Sequence, residues 1–159
     1  MRLAPQVRQQ LLDQYAAGPA LVMEVYAGLD EAVLDRRPAA MEWSAREVAH
    51  HLADSETRSY LRVRQIYAEE SPVVQAYDEF LWARRLHYER PVQLSLQVLV
   101  AVRASTAELL SLLPVDDDRL WSRGGVHEEI GAYTLDNWLS IYAKHCHEHA
   151  EQARAAAAG

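Results

Sequence analysis

Cysteine occurs once in the 159 residues, as Cys146. A single thiol cannot close an internal disulfide, which suits a reducing compartment. Apolar residues never run to the roughly 18 in a row that a membrane span requires. The opening MRLAPQVRQQ lacks the apolar segment of a signal peptide. The expectation is therefore a cytoplasmic protein with no membrane partner. Basic residues are outnumbered, with 16 Lys plus Arg against 23 Asp plus Glu and a net charge of −7. An acidic chain without a basic stripe argues against a nucleic-acid partner. Internal repeats are missing, and only the alanines at 155–158 form a low-complexity run. Stretches of alternating polar and apolar residues are missing too, so no strand is expected. What remains is 50% hydrophobic. That composition and this length suit one domain, residues 1–159, around one core.

Helical spacing dominates. Residues 5–27 carry Leu12, Tyr15, Met23 and Tyr26 at helical intervals, with Pro5 in the first turn. Gly18-Pro19 should kink or interrupt that helix, since proline removes an amide donor. Residues 28–42 read as a connection with one short helical turn. Ser44-Ala45-Arg46-Glu47 has the capping-box pattern and opens a helix over about 45–70, with Trp43 as its staple. A shorter helix is expected within 77–90, capped by Asp78. Another long one spans about 92–113 between Pro91 and Pro114. Residues 119–133, with Gly124, Gly125 and Gly131, read as an ordered loop. Thr134 caps a last helix over about 135–155. Four long helices and no credible strands predict an all-α four-helix bundle. The connections at 71–91 and 114–133 exceed what hairpins need, so at least one should cross a bundle end.

The chemistry gathers at histidines. His145 and His149 are four residues apart, the spacing at which one helix offers two imidazoles to one metal ion. They continue the inward stripe of Leu135, Trp138 and Tyr142, whereas His147 falls on the polar face with Lys144 and Glu151. On the second helix His51 lies on the inward stripe and His50 about 100° away. Three inward histidines from two helices would leave coordination positions open, as catalytic metal sites do. The plainer reading of an HxxxH pair is two surface histidines. HExxH is absent because Cys146 follows His145, and Cys146 itself reads as packing.

Two further residues are candidates for catalytic roles. Asp54, one turn from His50 and His51, could orient a ligand imidazole or pair with a surface cation. Arg103 interrupts an apolar stripe, so it either pairs with a carboxylate or clamps an anionic substrate. His87 and His127 read as surface residues.

Four segments carry a family resemblance. Trp43 through Glu56, WSAREVAHHLADSE, resembles the WSxREVxxHLxDSE segment of the DinB/YfiT-like metal-binding proteins. Tyr77-Asp78-Glu79 with Trp82-Ala83 resembles their PYDExxWA segment, with Ala76 in place of the proline. His127-Glu128-Glu129-Ile130-Gly131 resembles HPExG, and Tyr142 through His149 resembles YAxHxxxH. The resemblance implies an up-down-down-up four-helix bundle, a homodimer, and a divalent metal, nickel or zinc, on three histidines. Those three carry over to His51, His145 and His149. Where relatives place a histidine just before the last ligand, Glu148 stands here. The implied activity is transfer of a low-molecular-weight thiol to an electrophilic small molecule. Metal-dependent hydrolysis of an ester or amide, and a non-enzymatic metal-binding stress role, are the alternatives.

Overall fold

The computed structural model describes residues 1–39 and 42–158; part of the expected 28–42 connection lies outside them. Helix α1 spans Pro5–Ala27, α2 Ala45–Ala68, α3 Glu79–Arg85, α4 Gln93–Ser111, α5 Asp118–Trp121 and α6 Leu135–Ala158. A single 3-10 turn, Glu31–Val33, follows α1. The boundaries of the long helices follow local chemistry. The α2 capping box is complete: Ser44 N donates to Glu47 Oε2 at 2.9 Å and Glu47 N to Ser44 Oγ at 3.3 Å. Asp78 caps α3 through the Leu81 amide at 2.8 Å. Asn137 N donates to Thr134 Oγ1 at 3.3 Å at the start of α6.

Packing partners set the topology. Along α1 and α6, Arg8 meets Asp136, Tyr15 meets Trp138 and Gly18 meets Cys146, so these helices run parallel. Along α2 and α4, His50 meets Ser95, Glu56 meets Arg103 and Arg64 meets Ser105, again parallel. Between α2 and α6 the order reverses: Ser59 meets Trp138, Glu56 meets His145 and His51 meets His149. The result is an up-down-down-up bundle. Because α2 and α4 point the same way, the segment joining them must return along the bundle. It carries α3 back to the N-terminal end of α2, where Phe80 packs on Trp43 at 5.4 Å between ring centroids.

Two expectations fail here. The 119–133 stretch is not a loop. It holds α5 and a hairpin of β2, Gly124–His127, and β3, Gly131–Thr134. Strand β1, Val73–Val74, adds to β2 in parallel, making a small three-stranded sheet. A side chain at Gly125 would collide with the Pro72 carbonyl, so the β1 end can approach only a glycine. The second correction concerns Pro19: of the expected kink or interruption, the interruption does not occur, since α1 runs on through it. Proline at 19 leaves the Tyr15 carbonyl without its helical amide. Arg103 fills that vacancy, Nη1 donating to Tyr15 O at 2.7 Å.

The core is divided. Val22, Val25, Trp43, Val48, Leu52, Leu96, Leu99 and Ala150 pack at one end of the bundle. Tyr15, Val63, Ile66, Leu110, Trp121, Leu135 and Trp138 pack at the other. Between these apolar halves α2 and α4 bury polar side chains, Glu56, Ser59, Arg103 and Thr106. This layer sits directly behind the histidines.

Candidate metal centre

His51 from α2 and His145 and His149 from α6 converge at one end of the bundle. Their potential ligand atoms all lie within 4.8 Å of one another. Ring centroids are 4.7 Å apart for His51 and His149, 5.4 Å for His51 and His145, and 4.6 Å for His145 and His149. One α-helix turn sets the last spacing, and the antiparallel α2–α6 packing sets the other two.

Each ring is held from behind. The Glu56 carboxylate accepts from His145 Nδ1 at 2.9 Å, and Gln152 Oε1 accepts from His149 Nδ1 at 2.7 Å. Those bonds favour Nδ1–H and leave Nε2 of each ring as the lone pair, with Ser55 Oγ 3.5 Å from that of His145. Trp43 packs on the His51 ring with centroids 4.5 Å apart. His51 Nδ1 is buried and has no hydrogen-bond partner. An orphaned buried nitrogen is costly unless something completes it.

Burial disfavours the charged form of two of the rings. Burial, reinforced by the two neighbouring imidazoles, pushes His51 down to about 2. Burial and His145 push His149 down to about 4. A neutral imidazole offers a lone pair, and a three-histidine set suits a divalent transition metal. The pocket beside them, about 310 Å³, is lined by Glu42, Trp43, Glu79, Phe80, His149 and Gln152.

Residues 14–153 match the DinB superfamily. The chain belongs to that superfamily. A relative from Oceanobacillus iheyensis, named "Putative metal-dependent hydrolase", is 33% identical over 132 residues, covering 82% of this chain and 74% of its own. One from Halalkalibacterium halodurans with the same name is 26% identical over 141 residues, covering 89% and 81%. Among solved structures, YfiT from Bacillus subtilis aligns with a TM-score of 0.86 and 27% identity, over 96% of this chain and 86% of that one. It is described as a probable metal-dependent hydrolase with an unusual four-helix bundle topology.

Within this DinB chain the carboxylate pair is the one of the two readings of Arg103 that the geometry shows, while Asp54 bonds to a tyrosine. Arg103 is 1% exposed and faces no substrate space. Its guanidinium donates to Glu56 Oε1 at 2.8 Å, Tyr15 O at 2.7 Å and Tyr142 O at 2.6 Å, and lies over the Tyr15 ring. It is the structural partner of a carboxylate rather than a clamp. Asp54 turns away from the imidazoles and accepts the Tyr88 hydroxyl at 2.7 Å. The residue that orients a histidine is Glu56, to which sequence reasoning assigned no role. Burial alone would raise its carboxyl, but Arg103 and His145 outweigh that and hold it below its ordinary value.

The other flagged residues fall into packing roles. His50 is buried, held by Ser95 Oγ at 2.7 Å and Arg90 O at 2.9 Å. His147 is half-buried against the Gln14 carbonyl at 3.0 Å rather than fully solvated. His127 is buried in β2 with its ring 5.4 Å from Tyr133, not on the surface. Cys146 is buried against Gly18, and burial pushes its thiol up to about 12.

Proposed function

We propose that His51, His145 and His149 hold one divalent ion, nickel or zinc, and that the chain hydrolyses a small ester or amide there. The observation that carries this reading is the orphaned, neutral His51 facing two imidazoles whose opposite nitrogens are already engaged. The names borne by the relatives from Oceanobacillus and Halalkalibacterium support the same reaction class. When bound, the ion supplies Lewis acidity and lowers the pKa of the nucleophile it takes up. The chain's own residues supply the rest. Glu56 and Gln152 hold two rings in one orientation. Glu79, at the pocket rim, has its carboxyl raised by partial loss of water, which suits a proton acceptor beside the histidines. Trp43 and Phe80 give the pocket apolar walls for the substrate's body.

A second reading is transfer of a low-molecular-weight thiol to an electrophile. The apolar walls suit such an acceptor, and the thiol would come from solution, because Cys146 is sealed in the core.

Metal analysis of untagged protein, followed by a substrate panel, tests both. About one ion per chain is expected, falling sharply in His51→Ala, His145→Ala and His149→Ala. Full metal content in those variants would remove the metal reading. Metal-dependent cleavage of esters or amides without added thiol supports hydrolysis. A metal-dependent rate that appears only with a thiol and an electrophilic arene selects the transferase.

A further inference from the structure

Another cluster lies on the same face of α2. His51, Ser55, Arg58 and Arg62 occupy positions 0, 4, 7 and 11 of one helical stripe. Arg58 Nη2 donates to Gln75 O at 2.9 Å, and Arg62 Nη2 donates to that same oxygen at 2.5 Å. Two guanidinium groups thus share one neutral carbonyl, and Arg58 Nη2 also reaches Ala76 O at 3.3 Å. Neither meets a carboxylate among the described residues, and the Nε atoms of both are buried without a partner. The charge of Arg62, after burial, holds Arg58 below its ordinary value.

Anchoring the 75–76 backbone does not account for this. Neutral amides would serve the Gln75 and Ala76 carbonyls without charge, whereas two adjacent cations repel each other and lose hydration. Both line a groove of about 560 Å³ between α2 and β1, a volume suited to a small molecule. Arg64 lines the same groove, stacked on Tyr60, and Glu69 lies along it too. The nearby Glu128 carboxylate is engaged by the Ala76 amide at 2.9 Å.

One tyrosine, Tyr142, links the cluster to the histidines. Arg62 Nη1 donates to the Tyr142 hydroxyl at 2.9 Å, and the Tyr142 ring lies 5.6 Å from His145. Tyr77 stacks beneath Arg58 with centroid and guanidinium 5.0 Å apart, and its hydroxyl is buried without a partner.

We propose that Arg58 and Arg62 form an oxyanion subsite that takes a carboxylate or phosphate carried by the substrate. Seven residues of helix separate Arg58 from His51, so the anion lies about 10 Å along α2 from the histidines. The substrate is then an elongated acid, with its reacting group at one end and its charge at the other. The assignment to a substrate rests on the metal-site reading; binding of the anion does not.

The test is titration of the zinc-loaded full chain with inorganic phosphate and, separately, acetate, followed on the arginine Nε–Hε resonances by NMR. Saturable shifts of Arg58 and Arg62 are expected with one or both anions. The stronger binder tells a phosphate from a carboxylate. Arg58→Gln/Arg62→Gln should weaken binding by about tenfold or more, as losing charge-assisted contacts implies. His51→Ala should lose metal but keep the anion shifts, so the two readings can fail separately. Absence of saturable shifts, or unchanged affinity in the double glutamine variant, overturns the proposal. A double variant that loses thermal stability while keeping anion affinity would likewise leave the pair as a loop anchor only.

Discussion

Glu56 Oε1 lies 2.9 Å from His145 Nδ1 and 2.8 Å from Arg103 Nη2, so one buried oxygen ties a candidate ligand to the structural centre of the bundle. The imidazole is oriented by the carboxylate, and the carboxylate is kept ionised by the guanidinium. The pocket end and the fold's middle are therefore one hydrogen-bonded unit.

Replacing Glu56 should show both functions of that oxygen. Glu56→Gln keeps the shape but removes the charge, and metal affinity is expected to fall about 10- to 100-fold, the usual cost of losing a carboxylate behind a ligand histidine. Glu56→Ala also leaves Arg103 buried without its partner and should cost about 3–5 kcal/mol. Competition with a chelator and chemical denaturation separate the two effects. Metal affinity unchanged in Glu56→Gln would mean that His145 is oriented by packing alone.

Arg103 variants should behave as stability mutants. Arg103→Met is expected to lose about 3–5 kcal/mol, because a buried carboxylate and the Tyr15 carbonyl are both abandoned. Turnover per folded molecule should fall with His145 orientation, without the selective rise in KM that loss of a substrate clamp produces. A KM rise alone, at unchanged melting temperature, would return Arg103 to a substrate-binding role.

How much of this was readable beforehand depends on whether the cause was local. The four long helices announce themselves through Ser44, Glu47, Thr134, Pro91 and Pro114, all acting within a few residues. His145 and His149 show their shared face by spacing, and His51 by the stripe it stands on. Glu56 is five residues past His51, about 140° around the helix, so stripe arithmetic placed it elsewhere. Its role needs partners from α4 and α6. Two anomalies explain each other only in three dimensions: Arg103 on an apolar stripe supplies the donor that Pro19 withholds. The small sheet escaped because strands of two and four residues hold no full alternation, and β1 and β2 are about fifty residues apart.

Gly18 should tolerate no side chain. A Cβ there would lie 2.7 Å from Cys146 Cβ and 3.0 Å from Arg103 Nη1. Helix propensity alone would favour alanine by about 1 kcal/mol. Overpacking at this contact is expected to reverse the sign, giving Gly18→Ala a net loss of about 1–3 kcal/mol. Urea denaturation measures it. A stabilised variant would show that α1 and α6 can move apart without disturbing the arginine.

Acid should destabilise the metal-free protein before carboxylates of ordinary pKa titrate. His51 and His149 are held at about 2 and about 4 in the folded chain, against an ordinary imidazole near 6.5 once unfolded. His50 and His127 are lowered too, chiefly by burial. Below the unfolded value the unfolded chain binds protons that the folded chain refuses, so stability falls with pH. The limiting slope is about 1.4 kcal/mol per pH unit for each such proton. Glu56 acts in the opposite pH range: its depressed carboxyl contributes stability above the unfolded carboxylate value and loses it only under stronger acid. Melting temperatures of metal-free protein should thus decline between about pH 6.5 and 5, where ordinary carboxylates stay ionised. The decline should be shallower in His51→Phe, which removes one proton acceptor while keeping an aromatic ring against Trp43. An identical pH slope in that variant would show that His51 is protonated in the fold and unsuited to offering a lone pair.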